Sequence, residues 1–114
     1  MVEWLQLRDR LATVVVQDGS ARRLSKARTT VSFAPWGAAP EVTLLLDRRP
    51  AEVTATGSAE VQIELGARAA ERFARGELVL ATALLEGEAR ATGPIRRYLA
   101  VDPVLRNLLR EAAA

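Results

Sequence analysis

The chain has 114 residues, 49% of them hydrophobic, with 16 basic against 14 acidic side chains, a net charge of +2 and a pI of about 9.9. That length makes one domain over residues 1–114, able to bury about two thirds of its unfolded surface without covalent staples. It has neither cysteine nor histidine, which excludes disulfides, thiolate metal sites, Ser-His-Asp and Cys-His hydrolases and most zinc enzymes.

Residues 2–17 predict an amphipathic helix. Trp4, Leu7, Leu11, Val14 and Val15 recur at spacings of three and four, while Glu3, Gln6, Asp9 and Arg10 fill the other side. Gly19 is its expected stop, and residues 19–26 read as a polar loop. Such a helix packs on a sheet or, in the other reading, lies on a membrane surface or a dimer partner. A first strand over residues 28–33 points Val31 and Phe33 inward, Thr30 and Ser32 outward. The breaker-rich Pro35 to Pro40 is a turn, with Trp36 as a lid on the core or an exposed contact, the lid being favoured.

The second strand, residues 41–47, carries Val42, Leu44 and Leu46 on one face, Thr43 and Leu45 on the other, as a strand covered twice would. After a turn at Arg48-Arg49-Pro50, residues 51–56 form a short third strand ended by Gly57-Ser58. Residues 59–65 alternate cleanly, Val61, Ile63 and Leu65 against Glu60, Gln62 and Glu64. A helix over residues 67–75 meets Gly76 where a left-handed cap is wanted. Leu78 to Leu85 is the most apolar run, a helix apolar all round that must be covered on several sides. Gly87 closes it, residues 88–92 make a fifth strand, and Gly93-Pro94 turns into a last helix carrying Tyr98, Leu99, Val101, Val104, Leu105, Leu108 and Leu109. Pro103 kinks or restarts that helix. The sum is an α+β fold: a single antiparallel-dominated sheet of about five strands packed against helices, enclosing an apolar core or tunnel.

No apolar run approaches the roughly 20 residues of a membrane span, and Glu3, Arg8, Asp9 and Arg10 interrupt any signal-peptide pattern; a cytoplasmic location is expected. Arginines alternate with acids (Arg8-Asp9-Arg10, Glu71-Arg72, Glu86 to Arg90) and only 4% of residues are aromatic, so no nucleic acid is expected and at most a transient membrane-surface contact. Glu86 and Glu88 flank Gly87 as a solvated pair, and Glu60 and Glu64 lie on an outward face; none is assigned a catalytic role. The two glycines 87 and 93 lack the Gly-Lys-Ser/Thr end of a phosphate loop. Tyr98 with Arg96 and Arg97 either holds a carboxylate or phosphate head group or, as more often, is a core tyrosine with its hydroxyl at the rim. No metal or cofactor is expected.

The alternating strand Val61 to Leu65, the helix junction Ala74-Arg75-Gly76-Glu77-Leu78, and Ala83-Leu84-Leu85-Glu86-Gly87 leading into residues 88–92 with Gly93 behind form an ordered series. That series resembles the sterol carrier protein type 2 domain, as a small standalone member of bacterial type; the Ala- and Arg-rich composition suits a GC-rich bacterial source. Taken alone, the apolar helix faces favour a dense core; the resemblance implies instead a hydrophobic tunnel between sheet and C-terminal helices. It implies a non-enzymatic protein that binds or transfers a fatty acyl, acyl-CoA, sterol-like or quinone-like lipid, with Phe33, Leu44, Phe73, Leu78, Leu80, Leu84, Leu85, Tyr98, Leu99, Leu105, Leu108 and Leu109 as its lining and Arg96 and Arg97 near the head group. Two rival expectations stand beside it. One is an accessory or dimerisation module, a homodimer included, that binds a partner through its apolar face. The other is a small cyclase or isomerase acting through Glu, Tyr98 or Arg. The chain departs from the family in Pro94, where a polar residue is usual, and in a short N-terminal half.

Overall fold

Alternation of apolar side chains decides which segments become strands here, and the centre of the sheet is where that alternation is least needed. A computed structural model describes residues 2–48, 50–55 and 58–113. Its strands are β1 (Thr30–Pro35), β2 (Val42–Leu45), β3 (Glu52–Thr54), β4 (Val61–Leu65) and β5 (Ala89–Thr92), in the order β3-β2-β1-β4-β5. β1 is central, and Thr30 and Ser32, expected to face outward into solvent, are 8% and 2% exposed because strands on both sides cover these short side chains. Arg28, expected in the strand, instead takes a left-handed backbone (φ 49°) just ahead of it.

The sheet is mostly antiparallel, with one exception. β4 runs parallel to β1, Val31 beside Val61 and Phe33 beside Ile63. β1, β2 and β3 form a meander, so β3 already runs in the direction of β1. Alternation reports the face of a side chain but not the direction of its neighbour, so this pairing was not readable. The link from β3 returns the chain to the start of β4, where the Glu60 amide donates to Thr30 Oγ1 at 2.9 Å.

Two helices replace the one expected at the front. α1 (Trp4–Val14) stops at the β-branched run, and α2 (Asp18–Leu24) forms where a polar loop was expected. Gly19 is therefore inside a helix and not a stop; it has no left-handed φ and nothing within 4 Å of where a Cβ would stand. One fully buried side chain, Leu24, anchors this otherwise polar segment to the core. A single 3-10 turn (Ser25–Ala27) follows it.

α3 (Ala67–Ala74) buries Ala69, Ala70 and Phe73 and ends at Gly76 with φ +71°. α4 (Leu80–Leu85) is shorter than the apolar run that contains it and buries only Leu80 and Ala83. Leu85 is 90% exposed and Val79 43%, which corrects the expectation of cover on several sides: six residues present one stripe at i and i+3. Leu85→Ser is accordingly expected to shift the thermal midpoint by no more than the equivalent of about 0.5 kcal/mol, read by circular dichroism. The last helix is two, α5 (Ile95–Leu99) and α6 (Asp102–Ala113), restarted where Pro103 sits in a first turn that needs no donor.

Buried side chains from these helices meet one face of the sheet, Val31 and Phe33 on β1, Val42 and Leu44 on β2, and Val61, Ile63 and Leu65 on β4, in a single cluster. α6 closes it, touching α1, α2 and α3. Two backbone approaches lock the layers: Gly76 lies against the Arg106 carbonyl and the Arg110 amide of α6, and Gly93 (φ +90°) against the Glu60 carbonyl. Among the described residues no helix is long and apolar enough to cross a membrane.

Candidate functional site

The C-terminal ends of β1 and β4 point toward the start of α1, and the gap left there is a groove of about 550 Å³. Its walls are Val2 and Trp4 from the front of α1, Pro35 and Trp36 past β1, Leu65 at the end of β4, and Ala67, Ala70 and Glu71 from α3. Apart from Glu71 and the indole N–H groups the lining is apolar. Small residues make the space: alanines at 67 and 70 put the α3 surface well back from the two indoles.

Trp36 separates this groove from a second hollow of about 350 Å³ around Gly66, Arg68, Ala69, Gly87 and Glu88. The Arg90 guanidinium lies 3.7 Å over the Trp36 ring, a cation–π contact, with its Nε 3.8 Å from Glu64. The expectation of Trp36 as a lid on the core is thus corrected. At 43% exposure the indole stands outside the core and walls the groove, held in place by an arginine.

Below the groove the next layer is aromatic. Phe33 lies two residues before Pro35 on the same strand face, and Phe73 lies one turn beyond Ala70. The two rings stack at 4.4 Å, and Tyr98 meets Phe33 edge-on at 5.7 Å. Of the lining expected from sequence, Phe33, Leu44, Phe73, Leu78, Leu80, Tyr98, Leu105, Leu108 and Leu109 join this buried cluster, with Leu84 and Leu99 packed partly buried against it. Leu85 does not; it projects into solvent at 90% exposure, one turn too far round its helix. The groove lies beside the cluster, not within it.

The Tyr98 hydroxyl is not at the rim, as expected, but fully buried. Burial pushes its pKa well up, and the neighbouring Asp102 carboxyl raises it further, both by its charge and as the acceptor facing the hydroxyl. Asp102 is 5% exposed; burial raises its pKa, and the Tyr98 hydroxyl beside it, then Arg106, 3.5 Å away along α6, partly offset this. Arg96 and Arg97 are exposed and away from the groove, Arg97 facing Glu60 at 3.8 Å. Glu88 and Glu64 face Arg72 and Arg90 as solvated ion-pair partners, and Glu86 is exposed. Sequence reasoning missed Val2, Trp4, Pro35, Leu65, Ala67 and Ala70 as groove residues. The available signal was the placement of the two tryptophans, one per wall.

The chain matches no protein-family model and no curated protein by sequence. Solved structures are similar in fold. Sterol carrier protein 2 from Yarrowia lipolytica, in its apo form, superposes with a TM-score of 0.69 at 16% identity, covering 94% of each chain. Sterol carrier protein domain 2 of Helicoverpa armigera gives 0.63 at 17%, over 95% of this chain and 86% of that one. The ubiquinone synthesis protein UbiJ-SCP2 gives 0.63 at 15%, over 91% and 88%. The fold is that of sterol carrier protein 2 domains.

Proposed function

We propose that the protein binds and hands on a hydrophobic ligand, of the fatty acyl, acyl-CoA, sterol-like or quinone-like kind, and catalyses no reaction on it. The observation that carries this reading is the apolar groove between the two tryptophans, set on a sterol carrier protein 2 fold. Its volume suits a ligand of drug size. Burial at about 25 cal/mol per Å² of apolar area supplies affinity without any reactive side chain. The buried cluster of Phe33, Phe73, Leu105 and Leu109 lies next to the floor, so a long ligand enters between the sheet and the C-terminal helices by moving these side chains. Arg90 over the Trp36 wall and Arg68 in the hollow beyond it suit an anionic head group that extends past Trp36. The proposed place of work is the cytoplasm, as a single chain or a homodimer, with at most transient contact at membrane surfaces.

Both tryptophans of the chain line the groove, so it reports its own occupancy. Adding hexadecanoic acid, its CoA thioester or a sterol is expected to blue-shift tryptophan emission in a saturable way. Native mass spectrometry of the freshly purified protein is expected to show an adduct that extracts as a lipid. Unchanged emission with all three probes, together with a clean mass, sinks the proposal.

A further inference from the structure

The end of the molecule that carries the groove also carries an uncharged, exposed loop. Residues 36–40, Trp-Gly-Ala-Ala-Pro after β1, are exposed throughout and hold no charged side chain. The Trp36 amide donates to the Leu65 carbonyl and the Gly66 amide to the Glu88 carbonyl, each at 3.0 Å, so this loop, the start of α3 and the turn before β5 stand side by side. Leu85, at the head of that turn, is the most exposed large apolar side chain among the described residues. The charges around the loop give no cationic excess. Arg90 faces Glu64, Arg72 faces Glu88, and the remaining Arg68 is outnumbered by Glu41 and Glu86.

The opposite end differs. Arg22, Arg23, Lys26 and Arg28, all ahead of β1, are exposed, and none forms an ion pair among the described residues. Such a patch draws a protein to acidic surfaces, but it lies the length of β1, about 20 Å, from the groove. Contact there would leave the groove mouth facing water. Resting on the lipid-binding reading above, we infer that the loop of residues 36–40, with Leu85 beside it, is the surface that meets a neutral, zwitterionic lipid bilayer. The indole suits the head-group level, with an apolar ring and a polar N–H. Gly37, Ala38, Ala39 and Pro40 add surface with no charge to strip of water. A lipid then passes between acyl layer and groove along Trp36 without crossing water. A protein seated on the same loop would close the mouth, so the bilayer is the occupant that fits.

The test uses sucrose-loaded vesicles of phosphatidylcholine, alone or with added phosphatidylglycerol. The wild-type chain is expected to sediment with phosphatidylcholine alone, with a partition that salt barely changes. Ala39→Glu puts a charge into the contact and Leu85→Ser removes apolar area, and neither residue lines the groove. Partition is expected to fall about tenfold in the first and about fivefold in the second. Their affinity for hexadecanoic acid without vesicles, read by tryptophan emission, should stay within about twofold of wild type. Arg28→Gln should sediment as the wild type does. Binding that needs phosphatidylglycerol, falls with salt and is lost in Arg28→Gln puts the basic end on the membrane and overturns the assignment. Absence of sedimentation with phosphatidylcholine, or unchanged partition in Ala39→Glu, overturns it as well. Equal loss of hexadecanoic acid and vesicle binding in Ala39→Glu makes the loop part of the ligand site, which also overturns it. Sedimentation that Ala39→Glu weakens, in a chain that binds no hexadecanoic acid, supports the bilayer contact and removes the lipid-binding reading alone.

Discussion

Gly93→Ala is expected to lower the unfolding free energy by about 4 kcal/mol, enough in a domain of this size to abolish a cooperative transition near body temperature. Two causes act together. The residue sits at φ +90°, which L side chains rarely adopt, and a Cβ there would overlap the Glu60 carbonyl oxygen and press on Val61 Cα at 3.3 Å. The obstacle is backbone at the start of β4, not the tip of a side chain that can swing away. Relief would pull β5 from β4, whose ladder runs from Gln62 beside Thr92 to Leu65 beside Ala89. Gly19→Ala is the control. Nothing lies within 4 Å of the added methyl, and the position is inside α2, so a gain of about 0.5 kcal/mol is expected. Urea denaturation of the two variants checks both signs, and a Gly93→Ala chain as stable as wild type would refute the close approach.

Ala67→Phe should separate binding from folding. Ala67 opens α3, is exposed, and lines both the groove and the hollow beyond Trp36. A phenyl ring there has room to turn into the groove without disturbing the core, so stability should change by no more than about 0.5 kcal/mol. The ring takes roughly 100 Å² of apolar contact from any ligand, which at about 25 cal/mol per Å² is about 2.5 kcal/mol, or close to a 70-fold loss of affinity. Titration of hexadecanoic acid by tryptophan emission measures it. Unaltered affinity in a folded variant would place the ligand elsewhere.

Much of the fold was legible because period and punctuation agreed. Val61, Ile63 and Leu65 alternate and are buried; Gly76 lies where a helix of residues 67–75 must stop, and takes the left-handed conformation such a stop requires. What escaped depends on long-range geometry. The parallel pairing of β1 with β4 is set by where the chain re-enters the sheet, which no local pattern encodes. α2 escaped because its polar composition hides a single anchor, Leu24. Apolarity was a good guide to the core and a poor guide to the groove. A cavity forms where bulk is missing, and Ala67 and Ala70 signal it by their smallness, which reads in sequence as ordinary helix. Leu85 shows the converse error, an apolar residue carried into the site by its neighbours and placed in solvent by helical phase.

The single parallel ladder also bears on how the chain is made. β1 finds its antiparallel partner a few residues downstream, and the meander β1–β2–β3 can close as soon as residues 30–54 have left the ribosome. Its other edge waits for Val61 to Leu65, and β5 cannot cover β4 until later still. In that interval the nascent sheet offers the unpaired backbone of a Val-Ser-Phe-Ala segment, the kind of apolar edge on which neighbouring chains add. The strand most enclosed in the finished protein is the one longest at risk during synthesis.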